Sequence, residues 1–213
     1  SGERAAFFYI NLSALFLIIM MKNFKLLRFI SLSFALIIIF LITSINSSYK
    51  ERIVDQTIKQ LGSDDKIYVF SEEHTNHYIS AYKMFLDNKI TGIGPRMFRA
   101  NCHLEEYKIS VESCTTHPHN NYVQILAESG LLGILILTIP FFVLIYFSIK
   151  HFILKFIFKE YLFSDFQLAL ISCFVITLWP LVPTGDFYNN WLNIIYYFPL
   201  GILLASLDKS AKL

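Results

Sequence analysis

Five apolar runs, each close to the length that crosses a bilayer, constrain this chain more than any other feature. A transmembrane helix needs roughly 20 mostly apolar residues, and the 213-residue sequence is 55% hydrophobic. Charged residues make up 16% of it, against roughly 25% in soluble domains. We therefore predict an all-α polytopic membrane protein with about five transmembrane helices, at about Ala5–Met21, Leu26–Ile45, Leu131–Ile149, Phe166–Val182 and Trp191–Leu207.

The lysines and arginines predict how these spans are oriented, because short positively charged loops mark the cytoplasmic side. If all five runs span the membrane, three segments lie on the opposite side, which we predict to be periplasmic: Ser1–Arg4, the long loop at residues 46–121 and the short Pro183–Asn190 loop. The net charge of +2 and the absence of a basic stripe with interleaved aromatic residues give no indication of nucleic-acid binding. Three basic groups share the cytoplasmic side: Lys22, Lys25 and Arg28; Lys150, Lys155 and Lys159; and Lys209 and Lys212.

The same spans divide the chain into four parts. Residues 1–45 hold two transmembrane helices, and residues 46–121 form a long, mostly helical periplasmic loop. Residues 118–149 form a protruding transmembrane helix, and residues 150–213 hold two more transmembrane helices and a cytoplasmic tail. The sequence has no initiator methionine and begins directly before an apolar run, so we expect the C-terminal portion of a larger protein, with earlier helices missing.

Within the long loop, hydrophobic periodicity predicts a small cap lying on the membrane domain. Tyr49–Leu61 has the pattern of a polar amphipathic helix, and Ile67–Phe70 is either a short strand or a linker. Apolar residues recur at helical spacing along His77–Asp87, which predicts a helix with one apolar face. We expect Asn88 and the Gly92–Pro95 turn to end that helix.

The predicted helix that follows the loop is longer than a bilayer is thick. A helix from Pro118, which suits a first helical turn, to Ile149 would be roughly 48 Å long, whereas the hydrocarbon core is about 30 Å thick. The first turns must protrude or the helix must tilt, and Pro140 favours a kink. Either arrangement leaves His119 in the aqueous or headgroup layer.

His119 is the first candidate for a catalytic base. The partial positive charge of a helix N-terminus disfavours imidazolium, and a neutral imidazole can accept a proton from a sugar hydroxyl. The unpaired N–H groups of such a helix end also favour an anionic ligand such as a pyrophosphate. The structural alternative is that His119 only caps the helix or lies in the headgroup layer.

Two motifs resemble one family of bacterial membrane enzymes. His119-Asn120 is followed, after nine residues, by Gly130-Leu131-Leu132-Gly133, and Gly92-Ile93-Gly94-Pro95-Arg96-Met97-Phe98 lies upstream. Both resemble motifs of the O-antigen ligase and O-antigen polymerase superfamily, although Arg96 replaces a small residue. The resemblance covers about Ser1 to Lys209. Its motif is fairly specific, because both the spacing and the loop-to-membrane context match. Gly130 and Gly133 are expected to permit close helix packing.

The resemblance implies an enzyme that transfers a glycan from undecaprenyl pyrophosphate to an acceptor hydroxyl. The expected acceptor is lipid A core or a growing glycan, on the periplasmic face of the bacterial inner membrane, in cell-surface polysaccharide biosynthesis. His119 would activate the hydroxyl. No metal or other cofactor is implied, because the pyrophosphate-linked donor is already activated. Membrane lipid is the remaining expected partner.

Six further residues are candidates for substrate binding, and each has a structural alternative. Ser1-Gly2-Glu3-Arg4 resembles the family's Ser-x-x-Arg element, whose arginine would hold the pyrophosphate through its forked donors; the alternative is an anchor at the span end. Asn120, Gln124 and Glu128 share one helix face, which binds sugar hydroxyls, orients His119 or is simply solvated. Arg96 and Arg99 flank the Gly-Pro turn, where an arginine meets phosphate or is a solvated loop charge.

The cysteines and histidines leave two interpretations open. Cys102 and Cys114 lie in the predicted periplasmic loop, where a disulfide would contribute roughly 2–4 kcal/mol, and Cys173 lies within a span. The rival interpretation is a non-enzymatic transporter or structural membrane protein with a metal-binding loop. Its zinc ligands would be these two cysteines with His74, His77, His117 and His119. No span carries a charge at its middle, which argues against ion-coupled transport.

Overall fold

The computed structural model describes residues 2–45, 51, 62–63, 66–67, 70–111 and 113–211. Most of them are helical, which confirms the predicted all-α class. The helices are α1 (Gly2–Met20), α2 (Lys25–Ile45), α3 (Glu72–Asp87), α4 (Phe98–Asn101), α5 (Asn121–Ile153), α6 (Asp165–Thr177) and α7 (Asn190–Ala211), with a π-helical segment, Leu154–Phe158, after α5. An antiparallel pair of two-residue strands, β1 (Gly62–Ser63) and β2 (Lys66–Ile67), completes the described elements.

Three of the described helices are long and apolar enough to cross a membrane: α2 over Lys25–Ile42, α5 with its π-helical extension over Asn121–Phe158, and α7 over Asn190–Asp208. The other two predicted spans are shorter apolar helices, Ala5–Met20 in α1 and Asp165–Thr177 in α6. The prediction placed the end of the fourth span at Val182, five residues too late. Pro180 and Pro183 follow α6, and proline cannot continue a helix without losing a backbone hydrogen bond.

Helix α5 differs from the prediction at both ends and at its break. It begins at Asn121 rather than Pro118, and it ends at Ile153 rather than Ile149. Its backbone is non-helical at Gly130, where φ is 62° and ψ is −156°. This break lies ten residues before Pro140, the residue at which the sequence favoured a kink. The break separates nine polar-rich residues, Asn121–Ser129, from the apolar stretch that follows.

The break brings two backbones into direct contact. A Cβ at Gly130 would lie 2.4 Å from the carbonyl oxygen of Ile90, and a Cβ at Gly92 would lie 2.3 Å from the carbonyl carbon of Glu128. The role expected for Gly130, close packing between helices, is therefore wrong: it packs against the turn after α3. A Cβ at Gly133 would meet the side chains of Ser129 and Ile125. Gly133 therefore packs against residues of its own helix, α5.

Residues 70–129 form a cap with its own apolar core, as the pattern predicted. Helix α3 begins at Glu72, five residues before the predicted start, because Ser71 accepts the backbone N–H of His74. It ends at Asn88 as predicted. The core of the cap comprises Ala81, Met84, Phe98, Cys102, Tyr107 and Ala127. The predicted helix at Tyr49–Leu61 lies outside the described residues, and the Ile67–Phe70 segment begins at the end of β2.

A second apolar core joins α1, α6 and α7 below the cap. Leu168, Ile171, Phe174 and Leu203 are buried there, and Phe16 and Met20 of α1 pack against them. Helix α6 begins with a capping box, in which Ser164 accepts the N–H of Gln167 and the Gln167 side chain accepts the N–H of Ser164. This arrangement fixes the start of α6 after a polar turn.

The loops meet at two opposite ends of the bundle. At the histidine end, formed by the cap, the start of α1 and residues 178–190, the Tyr9 hydroxyl lies 3.5 Å from the Val182 carbonyl oxygen. At the basic end, formed by residues 19–28 and 154–165, Asp165 accepts the backbone N–H groups of Lys22 and Asn23 at 2.8 and 3.0 Å.

Candidate functional site

The segment before α5 places His119 outside the helix, which corrects the predicted helix start. Asn120 is the N-cap, and its Oδ1 accepts the N–H groups of Tyr122 and Val123 at 2.9 and 3.1 Å. Two of the N–H groups that a helix start leaves unpaired are therefore already satisfied. His119 has a left-handed backbone, with φ of 57°, and this turn directs the chain away from the helix axis.

Four of the six histidines meet at this point. The His119 ring centroid lies 4.3 Å from that of His117, and 5.6 Å from those of His74 and His77 in α3. His77 is 1% exposed and His117 is 9% exposed, whereas His119 and His74 are partly exposed. We call these four residues the histidine cluster. Within it, His119 is the motif residue that a ligand can reach.

The cluster keeps His119 neutral. Burial lowers the pKa of His119 from 6.5 to about 4, and His117, His74 and His77 add electrostatic contributions in the same direction. Burial also lowers the pKa of His117. The sequence predicted a neutral His119 from the helix dipole. The direction is the same in the structure, but the cause is burial among other imidazoles.

The loop between α6 and α7 holds the cluster in place. The N–H of Thr184 donates to the His119 carbonyl at 2.8 Å. His117 Nε2 donates to the Thr184 carbonyl at 3.3 Å; a carbonyl only accepts, so this ring nitrogen carries the proton. The Thr184 hydroxyl donates to Asn121 Oδ1 at 2.9 Å. Thr184 thus holds the backbone of His119 and the side chain of His117.

Gln124 and Glu128 lie inside the protein, so the predicted alternative of a solvated helix face is wrong for them. They are 1% and 0% exposed. Gln124 Nε2 donates to Asp186 Oδ1 at 2.7 Å, and Gln124 Oε1 accepts the N–H of Phe187 at 2.9 Å. Glu128 Oε1 accepts the N–H of Phe98 at 2.8 Å. These contacts attach α5 to both neighbouring loops rather than expose polar groups to a ligand.

Asn120 is also engaged, and it joins the same framework. It is 3% exposed, and its Nδ2 donates to the Pro180 carbonyl at 2.7 Å. Its amide therefore bridges the start of α5 to the end of the α6 segment. In this structure Asn120 positions His119 rather than presenting its own amide to a ligand.

The two arginines of the Gly-Pro turn face the α6–α7 loop. Arg96 donates to the Tyr188 carbonyl at 2.6 Å, and its own backbone has a positive φ of 62°. Arg99 pairs with Asp186 at 3.3 Å, and its side chain is 44% exposed. Arg99 and Asp186 both act electrostatically on His117. Arg4 lies in the first turn of α1, and its side chain is outside the described part of the chain.

Asp186 is a site residue that sequence reasoning missed. It accepts from Gln124 and from the Tyr188 N–H through Oδ1, and it pairs with Arg99 through Oδ2. The sequence carried a signal for it. The Pro183–Asn190 loop was predicted to lie on the same side of the membrane as His119, and Asp186 is the acidic residue of that loop. No periodicity could indicate which partner it takes.

The cysteines are engaged with each other, which removes them from the rival zinc set. Cys102 and Cys114 form a disulfide that joins the end of α4 to the segment leading to His117. Among the described residues, no group of three or more His, Cys, Asp or Glu side chains is arranged to hold a metal ion. The four histidines are close, but their rings do not form such a group.

The disulfide predicts a labelling pattern. In unreduced, denatured protein a thiol reagent should modify Cys173, which is the free cysteine, and should leave Cys102 and Cys114 unmodified. Reduction should raise the count to three labels per chain, measured by intact mass. A Cys173→Ser control should take no label before reduction. Three labels without reduction would show that the bridge does not form and would reopen the metal interpretation.

Comparisons with known proteins agree with this architecture. The family model described as O-antigen ligase matches residues 1–138, roughly two-thirds of the 213-residue chain. The matched region contains α1, the cap, all four clustered histidines and the glycine break of α5. Searches of the curated proteins and of the solved structures gave no match. The matched region includes both motifs, and this chain belongs to the O-antigen ligase family.

Proposed function

We propose that this protein transfers a glycan from undecaprenyl pyrophosphate to an acceptor hydroxyl, on the periplasmic face of the bacterial inner membrane. The observation that carries the proposal is the state of His119. It is partly exposed, it lies beside three other imidazoles, and its pKa is lowered to about 4. An accessible ring that stays neutral at physiological pH can accept a proton from a hydroxyl.

The proposed reaction is a single in-line displacement. His119 takes the proton of the acceptor hydroxyl, and the hydroxyl oxygen forms a bond to the anomeric carbon of the donor. The bond from that carbon to the pyrophosphate oxygen breaks, and the anomeric configuration inverts. The pyrophosphate is already a good leaving group, so the proposal requires no metal ion.

The leaving pyrophosphate needs cations near His119, and three arginines are candidates. Arg99 is half-exposed on the loop that faces His117, and Arg96 is anchored beside it. A guanidinium has five N–H donors, so the contact of Arg96 with Tyr188 and that of Arg99 with Asp186 leave donors for phosphate oxygens. Arg4 begins the helix whose Tyr9 contacts the α6–α7 loop, which supports a role at the same end.

The acceptor distinguishes two forms of the proposal, a ligase that uses lipid A core and a polymerase that extends repeat units. We expect a strain that lacks the gene to show an altered lipopolysaccharide banding pattern. Loss of a ligase leaves polymer on the carrier lipid, whereas loss of a polymerase leaves single-repeat caps. Complementation with the intact gene is the control. An unchanged pattern for every lipid-linked glycan of the strain would contradict the proposal.

Topology provides an independent test. Single cysteines at Ser63 and Asn189, in an otherwise cysteine-free protein, should react with a membrane-impermeant reagent in intact spheroplasts. Single cysteines at Asn23 and Ser210 should react only after permeabilisation, because the basic groups hold those positions in the cytoplasm. If the cysteine at Ser63 were protected and the cysteine at Ser210 accessible in intact spheroplasts, His119 would face the cytoplasm. The lipid-linked donor on the periplasmic face could not reach it, and the proposal would fail.

A further inference from the structure

The basic end of the bundle carries a surplus of positive charge that the proposed transfer reaction does not use. Four cations from three segments converge there: Lys22 and Lys25 around the α1–α2 turn, Arg28 in α2, and Lys155 after α5. Lys25 and Arg28 both act electrostatically on the Lys155 ammonium. Asp165 accepts the backbone N–H groups of Lys22 and Asn23 through its two oxygens, and it also interacts electrostatically with Arg28 and Lys155. One carboxylate does not balance four cations.

Part of this charge serves the end of α1. Lys155 Nζ donates to the carbonyls of Ile19 and Met21, and Arg28 Nη2 donates to the Met21 carbonyl at 3.1 Å. Cations are favourable at a helix C-terminus. These contacts do not satisfy the guanidinium, because Arg28 Nε is buried and has no hydrogen-bond partner among the described residues. A buried N–H group of a cation is unfavourable without a hydrogen-bond acceptor, and an anionic acceptor forms the strongest hydrogen bond with it.

An apolar groove opens beside the same cations. It lies between α1 and α5, has a volume of about 420 Å³ and is lined almost wholly by apolar side chains, with Ile19, Met20 and Phe152 near the basic end. Two polar groups lie on its wall: the Ser148 hydroxyl and the Trp179 indole N–H are buried and have no hydrogen-bond partner among the described residues. Ser148 precedes Lys155 by two turns of helix. The groove and the cations therefore form one amphipathic surface.

We propose that this surface, the groove with Lys22, Lys25, Arg28 and Lys155 at its end, binds one anionic glycerophospholipid. The acyl chain occupies the groove, and the phosphate of the headgroup accepts from Arg28 and Lys25. An ester carbonyl of the lipid is an acceptor of the kind that Ser148 lacks. The four cations lie at the opposite end of the bundle from His119, and the groove runs from them toward Trp179. The headgroup position is therefore separate from the donor site, and the proposal does not depend on the proposed transfer.

Charge complementarity is the reason for choosing an anionic lipid over a zwitterionic one. Near a membrane surface each lysine or arginine contributes roughly 1 kcal/mol to attraction for anionic lipid. Removing two such charges should therefore weaken binding of the anionic lipid by at least about tenfold. A zwitterionic lipid would fill the groove equally well but would gain little from the cations.

The test uses the full chain in detergent, titrated with phosphatidylglycerol or phosphatidylcholine and analysed by native mass spectrometry. We expect the wild type to retain one phosphatidylglycerol at least about tenfold more tightly than phosphatidylcholine. The double variant Lys25→Gln/Arg28→Gln should lose this preference. Lys150→Gln, which removes an exposed charge in the last turn of α5, is the matched control and should keep it.

A second variant tests the groove without touching the cations. Ile145 lines the groove and is 39% exposed, so Ile145→Trp should block the acyl chain and weaken phosphatidylglycerol binding without unfolding the protein. Equal binding of the two lipids by the wild type, or an equal loss in Lys150→Gln, would overturn the proposal. So would the absence of any retained lipid, which would mean that another segment of the protein fills the groove. Glycan transfer, measured in parallel, reports on the proposed function separately.

Discussion

Replacing His119 by alanine in the full-length protein is expected to lower glycan transfer at least about 100-fold, because general base catalysis typically contributes 10²–10⁴-fold. The level of the protein in the membrane should not change, since His119 is partly exposed and precedes α5 rather than packing in its core. Transfer is measured as glycan moved from the lipid-linked donor per unit of protein.

His103→Ala is the matched control, because His103 is an exposed histidine of the cap that lies outside the histidine cluster. It should retain wild-type transfer. Activity above roughly a tenth of wild type in His119→Ala would contradict the base role.

The pH dependence of the wild type tests the same role without a mutation. With a pKa of about 4, His119 is neutral at any pH well above 4 and loses its proton-accepting form as the pH falls through that value. Transfer should therefore persist below pH 6.5, the ordinary histidine pKa, and decline near pH 4. Tryptophan fluorescence over the same range checks that the fold persists. An acid limb centred near pH 6.5 would show that the cluster does not tune the base.

Gly130→Ala is expected to destabilise the protein more than any other single methyl addition that we propose. The backbone at Gly130 has φ of 62° and ψ of −156°, a region that is essentially restricted to glycine and costs other residues about 1–3 kcal/mol. The added Cβ would also lie 2.4 Å from the Ile90 carbonyl oxygen. We expect the unfolding temperature in detergent to fall by at least about 5 °C.

Gly201→Ala is the control for this substitution. Gly201 lies within α7, and no heavy atom lies within 4 Å of a Cβ built there, so alanine should be neutral or slightly stabilising. The two variants add the same methyl group to helices of the same membrane domain. If Gly130→Ala unfolded at the wild-type temperature, the backbone contact between α5 and the Gly92 turn would not contribute to stability.

The family motif gains a physical explanation from this contact. Asn120 ends the irregular segment and caps α5, and Gly130 breaks the helix where the Gly92 turn crosses it. The nine residues between them span about 14 Å of helix. The spacing therefore sets how far His119 stands from the point at which the apolar part of α5 begins.

The sequence by itself determined the all-α fold class and the approximate positions of the apolar helices. Backbone groups in hydrocarbon must be satisfied within their own segment, so long apolar runs dictate helices whatever their neighbours are. The end of α3 at Asn88 was predictable for a similar reason, since asparagine and the following glycines stop a helix locally. The motif also made His119 the first candidate before any contact was known.

Tertiary structure alone decided how the candidate site is built. Gln124 and Glu128 share a helix face in any α5, but whether that face is solvated depends on loops more than 20 residues away. His119 lies outside α5 because Asn120 caps the helix and Thr184 holds the His119 carbonyl. Asp186 enters the site through those same loops. Helical periodicity reports neighbours within one turn, whereas contacts across 30 to 65 residues form only when the whole chain has folded.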